Sequence, residues 1–116
     1  MQVTVRVDND LAVLDLEGRF DSYTAPDVTK TLQRTQGKTQ RVMVNLEGVE
    51  FVDSTALAVL VQAMKRSRQR GGELYLCGMR PPVHMIFELA RLDQAFTIFA
   101  NEHHARQTFT TMEIHP

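Results

Sequence analysis

Apolar and polar positions change period several times along the chain, and each change marks an element. Val3, Val5 and Val7 alternate with Thr4 and Arg6, the period-two pattern of a half-buried strand. Asp8-Asn9-Asp10 is turn chemistry, and Leu11-Ala12-Val13-Leu14-Asp15-Leu16 reads as a second strand. The chain therefore opens with a hairpin, ended by Gly18. Thr24, Pro26 and Asp27 start a helix, with proline tolerated and acid favoured in the first turn. It turns Val28 and Leu32 inward and stops near Gly37. Val42-Met43-Val44-Asn45-Leu46 is a short apolar run, as in a strand covered on both faces.

A loop carrying Phe51, Val52 and Asp53 then leads into the longest helical pattern. Leu57, Leu60, Val61 and Met64 recur at helical spacing, so a single buried stripe is expected. Lys65, Arg66, Arg68 and Arg70 suit the negative end of that helix, and Gly71-Gly72 stops it. At its start, Asp53 or Ser54 supplies the capping oxygen. Glu73-Leu74-Tyr75-Leu76-Cys77 is the next strand, with Gly78 as its exit, and Pro81-Pro82 opens a helix expected to bury Ile86, Leu89 and Ala90. Phe96 to Phe99 forms a last short strand. From Asn101 the tail begins as a helix with Ala105 and Phe109 inward and is expected to fray at its end. Strands alternating with helices after a hairpin define an α/β class, a single mixed β-sheet with crossover helices in one domain.

Composition narrows the chemistry. The length of 116 residues suffices for one core without staples. A formal net charge of −1 argues against direct nucleic-acid binding, which calls for a basic field. One cysteine, Cys77, excludes an internal disulfide and a multi-cysteine zinc site. No apolar run approaches the roughly 20 residues that span a bilayer. The alternating start is unlike a signal peptide, so no membrane insertion and a cytoplasmic location are expected.

Several fragments imitate catalytic motifs and fail on spacing. Gly37-Lys38-Thr39 would end a phosphate-binding loop whose first glycine falls at Leu32. A nucleophile elbow at Ser54 requires glycines where Val52 and Ala56 stand. Asp8-Asn9-Asp10 would begin a calcium loop whose glycine falls at Val13, inside a strand. His103 and His104, being adjacent, point about 100° apart on a helix. No enzyme activity, cofactor or metal is expected.

The segment Phe51-Val52-Asp53-Ser54-Thr55-Ala56-Leu57 resembles the phosphorylation segment of STAS-domain anti-sigma factor antagonists, where Asp-Ser-[Ser/Thr]-Gly-Leu opens the second helix. Leu16-Glu17-Gly18-Arg19-Phe20-Asp21 with Thr24-Ala25-Pro26 is similar to that family's second strand and first helix start. Leu89 to Phe96, followed by Ile98-Phe99, looks like its closing helix and last strand. The resemblance implies the STAS fold over nearly the whole chain and a regulatory role. Unmodified protein would bind an anti-sigma factor that is also a serine kinase, phosphorylation of Ser54 would release it, and a serine phosphatase would reset it. Asp21, Asp53, Thr55, Ala56 and Leu57 would shape the partner surface, and the free protein would be a monomer or weak dimer. Residue by residue, Asp21 also suits a turn and Thr55 a first helical turn. Two positions depart from the pattern: Ala56 replaces a glycine, and Arg91 stands where small residues are common. The other use of the same fold is a scaffold or transporter-associated subunit with no serine switch. A nucleotide-binding reading ranks third, for lack of a phosphate loop.

Overall fold

A computed structural model describes residues 1–114. Strands β1 (Gln2–Asp8) and β2 (Leu11–Phe20) pair antiparallel around Asn9 and Asp10, both in the left-handed region at φ 48° and 69°. That two-residue loop matches the twist of the flanking strands. Helix α1 (Ala25–Gln36) crosses to β3 (Arg41–Val52), and α2 (Ser54–Gln69) to β4 (Glu73–Cys77). Helix α3 (Pro81–Leu89) leads to β5 (Thr97–Phe99), and α4 (Glu102–Ile114) closes the chain. The strands lie in the order β1-β2-β3-β4-β5, antiparallel only at β1/β2. This is the single mixed sheet with crossover helices that the patterning implied. The expected fraying of the tail falls on His115 and Pro116, outside the described residues.

Alternation along the strands builds two unequal cores. Leu14, Leu16, Val42, Val44, Leu74 and Leu76 point to the face carrying α1, α2 and α3, and join Val28, Leu32, Leu60, Val83 and Phe87 there. Leu11, Val13, Met43 and Cys77 point to the opposite face, where Ala105 and Phe109 of α4 cover them. Burial pushes the Cys77 thiol up to about 12. Ion pairs fasten α4 beyond its small apolar contact: Arg6 bridges Asp15 at 2.9 Å and Glu102 at 3.1 Å, and Arg106 bridges Glu102 at 2.9 Å and Asp8 at 3.1 Å. The hydrogen bond from Arg6 lowers the Asp15 and Glu102 carboxyls below the ordinary carboxylate range.

Three expectations need correction. Strand β2 does not stop at Gly18, nor β3 at Leu46; both continue to Phe20 and Val52 through shifts in register. Gly18 takes φ +112°, and a Cβ on Gly48 would lie 2.8 Å from the Leu16 carbonyl oxygen, so glycine marks an irregular pairing rather than an end. In α3 the inward residues are Val83 and Phe87, while Ile86 is half-buried, Leu89 is 79% exposed and Ala90 is exposed. The helix begins at Pro81, and that phase sets the i, i+4 pair Val83/Phe87 inward, with Leu89 on the opposite side. In α2 the buried stripe is Ala56, Leu60, Ala63, Met64 and Ser67, with Leu57 and Val61 on its half-buried flank.

Candidate functional site

The parallel pairing of Phe20 with Val52 brings two strand ends together, so the chain leaves the sheet twice at one place. Asp21 follows one strand and Asp53 the other, and the Asp53 N–H donates to the Phe20 carbonyl at 3.3 Å. Their carboxylates do different work. Asp53 is the N-cap of α2: its Oδ1 accepts from the Ala56 N–H at 2.9 Å, and its Oδ2 accepts from the Ser22 N–H at 3.0 Å. One side chain thus both closes the start of α2 and ties it to the loop before α1. Asp21 folds that loop onto itself, its Oδ1 accepting from the amides of Tyr23 at 3.0 Å and Thr24 at 3.2 Å. Arg19 stands beside it, with Nε 3.7 Å from Asp21 Oδ2 and its guanidinium 4.1 Å above the Phe51 ring.

Ser54 is the first residue of α2 and is exposed, as is Thr55. Since Asp53 supplies the cap, the Ser54 hydroxyl has no hydrogen bond among the described residues. The Leu57 N–H closes the first helical bond to Asp53 O at 3.1 Å, and Asp53 takes the Ala56 N–H. Helix geometry therefore leaves the Ser54 and Thr55 amides turned outward at the positive end of the α2 dipole. An anionic group attached to Ser54 would meet those donors at a pole that already carries the Asp53 and Asp21 carboxylates.

Asp21, Asp53, Ser54 and Thr55 of the expected surface stand together at this pole, and Leu57 is half-buried on the flank of α2. Ala56 is different. It is fully buried against the core, because position three of the helix faces the sheet, so its methyl offers no contact surface. Arg91, at φ 59°, acts through its backbone: its N–H donates to Glu88 O at 3.0 Å and the next N–H, of Leu92, to Phe87 O at 2.8 Å, the left-handed closure of α3. Sequence reading missed Ser22, held by Asp53, and Tyr23, which is 91% exposed at the same pole. The available signal was a lone aromatic inside a polar turn, with no apolar neighbour at strand or helix spacing.

The fold and this pole define a class: a one-sheet α/β domain whose second helix presents a serine with a free hydroxyl at a pole that carries two carboxylates. Residues 2–105 match the STAS domain family. The chain belongs to that family, among its anti-sigma factor antagonists. It is 34% identical over 102 residues to the anti-sigma-B factor antagonist of Listeria monocytogenes, covering 84% of this chain and 90% of that protein. It is 28% identical over 106 residues to the anti-sigma F factor antagonist of Paenibacillus polymyxa, covering 88% and 89%. An anti-sigma-factor antagonist (STAS) domain protein from Planctomyces limnophilus superposes with a TM-score of 0.84 over 93% of this chain and 97% of that one; at 21% identity the likeness is one of fold.

Proposed function

We propose that this chain is an anti-sigma factor antagonist of a partner-switching system, with Ser54 as the switch. Unmodified, it holds an anti-sigma factor that is also a serine kinase, so the sigma factor is free. Phosphorylation of Ser54 ends the complex, and a serine phosphatase restores the binding form. The observation that carries this reading is the division of labour at the start of α2. A serine at a helix start is ordinarily the cap, but here Asp53 caps and Ser54 keeps a free, exposed hydroxyl.

The chemistry is electrostatic. A phosphoserine adds about −1.5 to −2 charges at neutral pH. The outward amides and the helix dipole accommodate that charge within the fold, so α2 remains in place. A partner surface built to meet an uncharged hydroxyl beside Asp53 and Asp21 is instead repelled or left with a desolvated charge. Relatives named as antagonists of anti-sigma factors support the partner class. Substitution at Ser54 tests the reading with the anti-sigma factor from the same cells. Ser54→Ala is expected to bind and resist phosphorylation, and Ser54→Asp to lose binding while its circular dichroism stays unchanged. Equal binding by the two variants would sink the charge switch.

A further inference from the structure

The two edges of the sheet are protected very differently. On one side, β5 has only three residues, Thr97–Phe99, and lies in the sequence between two helices. On the other side, β1 presents seven residues, of which only Val3 is even half-buried. Among the described residues, several of the usual devices that blunt an edge are absent from it. Gln2–Asp8 holds no proline and no lysine, and its pairing with β2 runs without a bulge. Its one cation, Arg6, is drawn onto the α4 face by Asp15 and Glu102. On the helix face, Val5 and Val7 remain 42% and 71% exposed. They floor an open groove of about 300 Å³ whose wall includes Thr31 and Arg34 of α1 and Lys38 just beyond its end.

We infer that β1 is a homodimerisation strand, pairing antiparallel with the β1 of a second copy in a register centred on Val5. The strand is most fully self-complementary there. With Val5 opposite Val5, Val3 faces Val7, Thr4 faces Arg6 and Gln2 faces Asp8, so every valine meets a valine and no like charges are opposed. Centring on Arg6 sets Arg6 against Arg6, centring on Thr4 leaves Val7 without a valine, and a shift of one sets valines against Thr4 and Arg6. Pairing extends the sheet through the twofold axis and satisfies the outward N–H and C=O groups of β1 on both copies. The pole carrying Ser54 lies on α2, which packs beyond β2 from this edge, so each copy keeps its serine exposed. The dimer therefore presents two serines at once, independently of the role proposed for Ser54.

Engineered cysteines read the register directly, because directly opposed Cβ atoms about 4.5–5.5 Å apart come within reach of a disulfide. The native Cys77 is fully buried and does not compete. Under mild oxidation of the full chain, Val5→Cys is expected to cross-link to itself. Val7→Cys alone should not, but it should cross-link when mixed with Val3→Cys. Sedimentation equilibrium from roughly 10 μM to 1 mM should show a reversible monomer–dimer equilibrium for the unaltered chain, the range suited to so small an interface. Val5→Lys, which opposes two cations at the axis, should weaken it at least about tenfold with circular dichroism unchanged. A chain that stays monomeric through that range overturns the inference. So does a dimer indifferent to Val5→Lys, or Val7→Cys cross-linking as fast as Val5→Cys.

Discussion

Replacing Asp53 separates the two bonds its carboxylate makes. In Asp53→Ala both acceptors vanish, leaving the Ala56 N–H uncapped and the Ser22 N–H unpaired. Loss of an N-cap costs about 0.5–2 kcal/mol, typically about 1. The second bond, at a partly exposed site, adds about 0.5–1.5 kcal/mol. The sum is about 2 kcal/mol. Asp53→Asn keeps one carbonyl oxygen for the Ala56 amide, but its NH2 cannot accept from Ser22, so only the second part is lost, about 1 kcal/mol. Urea denaturation reads both. With a slope of about 1–3 kcal/mol per molar, the alanine variant should shift the midpoint down by roughly 1 M and the asparagine variant by about half as much, at constant slope. Hydrogen exchange should speed up at Ser22 in both variants and at Ala56 in the alanine variant alone. An alanine variant within 0.5 kcal/mol of the unaltered protein, on the order of ordinary surface changes, would refute the assignment of Asp53 as cap and tie.

Two substitutions toward the residues more common in the family should act in opposite directions. Ala56→Gly removes a fully buried methyl and lowers helix propensity, costing about 1–2 kcal/mol in a denaturation midpoint while leaving partner affinity unchanged. Arg91→Gly relieves the left-handed backbone at φ 59° and should stabilise by about 1 kcal/mol; a loss would mean the arginine side chain matters more than its backbone. Acid should loosen α4 before the main core. Asp15 and Glu102 are both held below their ordinary values of 3.8 and 4.5, so their contribution is complete above those values and is lost as pH falls through the lowered ones. The Phe109 ring, 4.7 Å from Tyr75, reports that loosening by aromatic NMR, and an unchanged spectrum down to pH 2 would contradict it.

Periodicity made most of the architecture legible, and its failures have physical causes. The hairpin, the three crossover helices and the inward Ala105 and Phe109 followed from period and turn chemistry alone. The far halves of β2 and β3 did not, since Gly18 reads as the end of the hairpin and the stretch between Leu46 and Asp53 as loop. Parallel pairing between the two strands sustains them, a contact remote in sequence. In α3, nine residues rich in apolar side chains carry too weak a period to fix the phase, and Leu89, expected inward, faces out. At the pole, the residue types were legible but not their division of labour. Either Asp53 or Ser54 could have capped α2, and only the backbone around Ser22 decides it, because the Ser22 N–H is the second partner of Asp53. Arg91 shows the same limit: the sequence marks it only as a departure from the small residues common there, whereas a backbone angle explains the position.

Calorimetric titration of the anti-sigma factor with unmodified protein, and with protein phosphorylated stoichiometrically at Ser54, tests the switch most directly. Affinity should fall at least about a hundredfold on phosphorylation, since like charge or a stranded charge at an interface costs several kcal/mol. The amide spectrum should change only around Asp21–Thr24 and the first turn of α2. Equal affinity for the two forms, or a loss of binding accompanied by unfolding of α2, would contradict a switch that works by charge on an intact fold.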